Sequence, residues 1–357
     1  MPNLILRLTL PLFILTPFIT PVVLAQEQFA TPDPEAVKTC IERAVDYLKN
    51  NQGESSWREY NNDPRFKGGT TALAVLALIT AGEDPNTPEM RKALQFIERT
   101  PNMERRSVYG IALRILVLLA ADPDRRLYGR TIENDVQWLV DNQTIEGRFA
   151  GGWGYEFRSD YSDNSLSQFA LLALHEASLS GIAIEEQVWR SAEQYWVGGA
   201  SLRGGYGYKR LEGNKVSGSM TCAAISSLEI IRENLLKPKD FIKNGKVLGC
   251  AKFERYDASD RAIHWLTNNF AVSRNPSGGA IHKYYYLYGL ERAARLSGLR
   301  FFGDNDWYRE GTAHLLTQQK TTAPLQVLAV MTSSIPVLHC CFWLRGCDRS
   351  CLANINT

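Results

Sequence analysis

The chain has 357 residues, 45% of them hydrophobic and 22% charged, with 40 Lys and Arg against 38 Asp and Glu for a formal net charge of +2. Ordinary globular composition excludes a mostly disordered chain, and the absence of any Lys/Arg run excludes a surface built for nucleic acid. The length allows one large domain or two ordinary ones.

At the N-terminus, Arg7 precedes an apolar run from Leu8 to Leu24 that Pro11, Pro17 and Pro21 interrupt, and Val23-Leu24-Ala25 supplies the short residues a signal peptidase reads. Residues 1–25 are therefore read as a secretory signal cleaved after Ala25, since three prolines disfavour a spanning helix. No Cys follows for lipid attachment, and no later stretch is long and apolar enough to span a bilayer. An exported protein, periplasmic or extracellular, is expected.

Beyond the leader two kinds of segment alternate. One is a polar-faced amphipathic helix with a bulky residue near its end: Ala44–Leu48, Ala93–Ile97, Asp135–Leu139, Ala192–Trp196, Ala262–Leu266 and, more weakly, the stretch around His314. The other is rich in small and apolar residues: Thr70–Gly82, Ser107–Ala121, Asp163–Gly181, Ser217–Arg232 and Lys283–Gly298. Thr71 to Leu78 is apolar almost all round, as a helix buried on every side must be. Thr70, Ser107 and Asp163 are expected N-caps, and Gly82, Gly181 and Gly298 stand where a left-handed residue ends a helix. Neither kind of helix can bury its apolar face alone, so stacked hairpins with the apolar helices inside are expected. The pattern predicts an all-α fold, an α/α toroid over residues 26–320, with its last inner helix missing.

Three of the seven cysteines, Cys40, Cys222 and Cys250, are scattered through this body and form no disulfide framework. The other four crowd into residues 321–357, where no helix period continues. Permitted codons for Lys320 to Gly346 can be chosen so that a two-base shift reads D-D-G-S-L-A-G-A-G-G-D-D-V-V-D-T-S-F-A-L-L-F-L-A-E-G. That hidden string begins with a glycine turn and ends close to the pattern of the Asp163 segment. The tail is thus read as aberrant, the closing inner helix having been lost to a frameshift, and the nucleotide sequence tests this.

The turn from Asn142 to Tyr155 contains Gln143 and Gly151-Gly152-Trp153-Gly154-Tyr155, and Gly204-Gly205-Tyr206-Gly207-Tyr208 is a looser copy. With the following Asp163-Asn164-Ser165-Leu166-Ser167-Gln168, these turns resemble the Gln-to-Trp motifs of the prenyltransferase and squalene-hopene cyclase superfamily. The likeness is greatest to bacterial exported proteins carrying prenyltransferase and squalene oxidase repeats. The resemblance implies a ring of helical hairpins whose ligand sits at the ends of the inner helices.

It also implies two chemistries, and each is incomplete here. The cyclase D-x-D-D cluster keeps only Asp163, with Tyr161 and Asn164 in place of the other carboxyls; Asp163 is the one candidate general acid. Of the prenyltransferase zinc ligands, Cys222 and His282 match while Met220 replaces the Asp, so no cofactor is expected. Trp153, Tyr155, Tyr161, Asn164, Gln168, Tyr206, Tyr208, Tyr284 and Tyr288 are the expected ligand-binding residues.

Three functions remain open. One is a binding module for an apolar or isoprenoid-like small molecule or an envelope protein, without an intact catalytic motif. The second is a terpenoid-type cyclase working through Asp163. The third is a carbohydrate-active α/α barrel, which needs paired carboxylates, and Asp160 with Asp163 is the only nearby pair. G-x-S-x-G, P-loop and H-E-x-x-H signatures are absent.

Overall fold

A computed structural model describes residues 31–58, 68–100, 107–155, 159–210, 215–236, 242–243, 246–247, 255–279 and 282–321. The leader, residues 1–25, and the tail from residue 322 onward lie outside the described residues.

Eleven helices follow one another among the described residues: α1 (Pro34–Asn50), α2 (Gly69–Ala81), α3 (Pro88–Arg99), α4 (Val108–Ala121), α5 (Gly129–Asp141), α6 (Asn164–Leu179), α7 (Glu186–Val197), α8 (Gly218–Leu235), α9 (Asp257–Asn268), α10 (Lys283–Ser297) and α11 (Trp307–Thr321). The odd-numbered helices are amphipathic. α3, for example, buries only Met90, Ala93, Leu94 and Ile97, the i, i+3, i+4, i+7 stripe of a helix with one wet face. The even-numbered helices are enclosed, and α8 buries every residue except Arg232, Glu233 and Asn234.

Packing turns this alternation into a double wall. The inner helices pack in sequence, α2 on α4, α4 on α6, α6 on α8 and α8 on α10, and the outer helices lie against them. At the two ends of the series α1 meets α11, where Val37 and Cys40 form a small apolar cluster with Ile41 and Leu316. The architecture is an α/α toroid with six outer and five inner helices among the described residues, as the repeat pattern predicts. Among the described residues, three antiparallel pairs of two-residue strands accompany the helices: β1 (Tyr206–Gly207) with β2 (Val216–Ser217), β3 (Ile242–Lys243) with β4 (Lys246–Val247), and β5 (Phe301–Phe302) with β6 (Asn305–Asp306).

Most of the expected caps are in place. Asp163 caps α6 through its side chain, Gly82 and Gly298 end α2 and α10 at φ 99° and 68°, and left-handed Gly181 (φ 91°) follows Ser180, the C-cap of α6; Ser217, which was not among the expected caps, caps α8 through its side chain. Two expectations are corrected. α2 starts two residues earlier than a Thr70 cap predicts and its N-cap is Gly68 at φ 83°, so Thr70 lies inside the first turn. Ser107 holds the N-cap position of α4 without a side-chain cap bond.

The turns from outer to inner helix repeat one polar joint. The ring N–H of Trp57 donates to the carbonyl of Leu48 at 2.9 Å, that of Trp153 to Leu139 at 2.8 Å, and the hydroxyl of Tyr206 to Trp196 at 2.8 Å. Each acceptor lies in the last turn of the preceding outer helix, where carbonyls lack an intrahelical partner. The backbone N–H of the same three aromatics donates to a hydroxyl in the first turn of the next inner helix, Thr71, Ser167 and Thr221. One aromatic residue thus ties the end of an outer helix to the start of the inner one. In the second hairpin Arg114 takes over part of this role, bonding the carbonyl of Thr100 and the carboxylate of Asp135 on α5.

Two glycines let these turns back onto the next repeat. Gly151 has φ 93°, and a Cβ there would lie 1.9 Å from the carbonyl oxygen of Ser191 on α7; Gly204 has φ 88° and would place one 2.4 Å from that of Arg261 on α9. Only glycine satisfies both demands.

Candidate functional site

The beginnings of the inner helices lie side by side at one end of the ring. The N–H of Asn164, at the start of α6, donates to the carbonyl of Tyr208 in the turn before α8, and that of Gly218, at the start of α8, to Pro276 in the turn before α10. Side chains of the first helical turns therefore converge on a shared mouth.

Asp163 is at its centre. Its backbone N–H donates to the carbonyl of Trp153 at 2.8 Å, and its carboxylate accepts the N–H of Ser165 at 2.7 Å and the Ser165 hydroxyl at 2.5 Å. Burial raises its pKa above the usual 3.8, while the bonds from Ser165, a bond from Leu166 and the charge of Lys209 pull in the opposite direction.

Tyrosines surround this carboxyl. Tyr109 of α4, Tyr195 of α7, Tyr208 and Tyr285 of α10 have hydroxyl pKa values pushed up, chiefly by burial, and the charge of Asp163 adds to the shift in all four. Tyr285 accepts a hydrogen bond from the Gln168 amide. Deeper in the ring, Tyr109 meets Phe169 edge-on at 5.2 Å between centroids, and Phe169 stacks on Tyr288 at 6.0 Å. Below them a void of ≈ 10 Å³, room for about one water, is lined by Gln168, Phe169, Ser226, Tyr288 and Arg292 among others.

The expected ligand-binding residues divide. Gln168 and Tyr208 belong to the mouth, and Tyr155 is close enough to Tyr109 to shift its hydroxyl. Tyr161 lies at the rim, edge-on to Phe149 at 5.2 Å and beneath the Lys209 ammonium at 5.0 Å. Tyr288 forms the aromatic floor. Tyr284 turns aside, with the Lys283 ammonium 4.6 Å from its ring. Trp153, Asn164 and Tyr206 are 0%, 1% and 0% exposed, and their polar groups are bonded within the fold. Asn164, for instance, donates to Gly207 and accepts from the Tyr195 hydroxyl.

Sequence reasoning missed Tyr109 and put Tyr284 ahead of Tyr285. Tyr109 is the only aromatic in α4, and Tyr285 is one of three consecutive tyrosines; only the phase of each helix shows which ring faces Asp163.

The zinc set does not fit. Cys222 is wholly buried, with its β-carbon 3.2 Å from where Gly289 would carry one, and burial pushes its thiol pKa up, away from the thiolate a metal needs. Met220 is equally buried, while His282 is exposed beside the Tyr208 ring, 6.5 Å away. The carboxylate pair does not form a shared site either: Asp160 is exposed, Asp163 is 6% exposed, and the charge acting on Asp163 is that of Lys209.

No family model and no curated protein sequence matches the chain. Solved structures do match at the level of fold. An inactive variant of the alpha-1,6-mannanase GH76A of Salegentibacter sp. HEL1_6, in complex with alpha-1,6-mannotetrose, aligns with TM-score 0.57 and 11% identity over 87% of this chain and 99% of that one. A variant of the type II terpene cyclase MstE from Scytonema, in complex with geranylgeranyl dihydroxybenzoate, aligns with TM-score 0.53 and 10% identity over 88% of this chain and 99% of that one. The likeness to both extends over nearly all of each structure, and at these identities it is a likeness of fold.

Proposed function

We propose that this chain binds an apolar, isoprenoid-like molecule with a polar head at the mouth of its ring, without an intact catalytic motif of the cyclase, zinc prenyltransferase or glycosidase kind. The observation that carries the reading is the convergence of Tyr109, Tyr208, Tyr285 and Gln168 above the Phe169–Tyr288 floor. Hydroxyls and an amide at the top suit a polar head, and the stacked rings of Phe169 and Tyr288 below, 2% and 5% exposed around a void of about one water, would have to part to admit a hydrocarbon chain. The likeness of fold to a terpene cyclase holding a geranylgeranyl compound supports it; the likeness to a mannanase is equally strong, but among the described residues of the mouth Asp163 has no second buried carboxyl beside it, which speaks against a glycosidase. The apolar leader supports placing the protein in the cell envelope or outside.

A second reading has one specific observation in its favour. Asp163 is a buried carboxyl with a raised pKa, the kind of group that holds a proton for transfer to an alkene. In that reaction the carboxyl O–H bond breaks, the proton joins an alkene carbon, and the carbocation closes a ring before losing a proton elsewhere.

The test is to incubate the purified chain with geranylgeraniol, squalene or an alpha-1,6-linked mannotetraose, measuring binding by calorimetry and products by mass spectrometry. The expected result is saturable binding of an isoprenoid, weakened at least fivefold by Tyr285→Ala, with the lipid recovered unchanged. Binding of the oligosaccharide alone would overturn the proposal. Conversion of a lipid that Asp163→Asn abolishes would replace it with the second reading.

A further inference from the structure

The two best-defined turns at the mouth share a feature that the interior does not use. In the first, the N–H of Thr144 donates to the carbonyl of Gly152 and that of Gly151 to Thr144; in the second, the N–H of Ser201 donates to Gly205 and that of Gly204 to Ser201. Thr144 and Ser201 are therefore equivalent, and so are the residues after them, Ile145 and Leu202. These two side chains are 82% and 105% exposed, the most exposed large hydrophobic residues in the described structure. Arg210 bridges the two turns by donating to the carbonyl of Arg148 at 2.7 Å. A single exposed aliphatic needs no explanation, but the same position bare in two successive repeats does.

The surrounding charge is one-sided. Arg148, Arg203, Lys209 and Lys215 are exposed on the described parts of these turns, against Glu146 and Asp160. The Lys209 ammonium lies over the Tyr161 ring and the Arg148 guanidinium over Phe149, at 5.0 and 4.6 Å, so both stay at the rim.

We infer that this rim docks on an anionic lipid surface, with Ile145 and Leu202 entering the headgroup boundary and Arg148, Arg203 and Lys209 meeting the phosphates. Aliphatic tips set among cations are the features by which a protein rests on a charged membrane without crossing it. The inference deepens the binding reading above, because it places the mouth against the phase in which an apolar ligand dissolves.

Vesicle sedimentation without added isoprenoid tests it separately from ligand binding. The full chain is compared with Ile145→Ser/Leu202→Ser and with Arg148→Gln/Arg203→Gln, on vesicles of phosphatidylcholine alone or with a third phosphatidylglycerol. Any contribution from Leu8–Leu24 is common to all three proteins and cancels in the comparison. The expected result is a partition coefficient on the anionic vesicles that falls at least tenfold in the aliphatic pair and at least fivefold in the arginine pair. Equal binding by all three proteins would overturn the inference. So would concentration-dependent self-association in the ultracentrifuge that the serine pair abolishes while vesicle binding persists, which would make the rim an interface between copies. Because all four residues are exposed, unchanged melting curves are expected and verify that the variants fold.

Discussion

The indole N–H of Trp153 lies 2.8 Å from the carbonyl oxygen of Leu139, and the backbone N–H of the same residue lies 2.9 Å from the hydroxyl of Ser167. One buried residue therefore closes a hairpin by bonding to both of its helices. Trp153→Phe removes the first bond and Ser167→Ala leaves the backbone N–H without its partner. Each is expected to cost about 1–3 kcal/mol in urea unfolding, the penalty for stranding a buried polar group. The double variant should lose less than the sum, because both changes loosen one joint.

Arg114 and Asp135 form a two-pronged ion pair, both contacts at 2.6 Å, with side chains only 8% and 2% exposed. Removing one partner leaves a buried charge alone, so Asp135→Asn is expected to destabilise the protein by about 3–5 kcal/mol. Arg114→Met/Asp135→Leu should recover most of that loss, since no charge then remains to be desolvated. Thermal melts of the three proteins measure both effects.

Gly151 and Gly147 both have positive φ, 93° and 74°, but only Gly151 has a neighbour where a Cβ would go. Gly147→Ala should cost about 1–2 kcal/mol, the price of a left-handed alanine. Gly151→Ala adds a collision with the Ser191 backbone and should prevent the turn from seating on α7, seen as a loss of soluble protein or a melting temperature far below that of Gly147→Ala. Equal effects of the two substitutions would contradict the packing described.

His314 on α11 has its pKa lowered from 6.5 to about 4, first by burial and then by the charge of Lys283. A histidine held neutral in the folded state binds a proton more readily when unfolded. Its contribution to stability is therefore complete above pH 6.5 and is lost as the pH falls through the window down to about 4. His314→Gln should flatten the acid limb of the stability curve in that window. Lys283→Met should move the imidazole titration, followed by NMR, upward in pH.

Much of the architecture was legible because helices of two burial classes carry different hydrophobic patterns. α3 and α5 display a stripe, α2 and α4 do not, and their order along the chain dictates which wall each joins. The turns that hold Trp153 and Tyr206 were visible through their Gly-Gly pairs, although both residues were expected to bind ligand and not to join helices. Trp57 makes the same joint but escaped notice, because its turn lacks that pair. The site was less legible. Asp163 was found from its place before an inner helix, whereas Tyr109 carries no marker and Tyr285 is flanked by tyrosines that face elsewhere.

Sequence alone determined the alternation of wrapped and buried helices and the caps at Asp163, Gly82 and Gly298. The tertiary structure decided which tyrosines gather around Asp163, that Trp153 and Tyr206 serve the frame, and that Ile145 and Leu202 stand bare at equivalent places. The physical reason is that a helix enclosed on every side has no amphipathic phase to read. The direction of each of its side chains is settled only when the neighbouring helices pack against it.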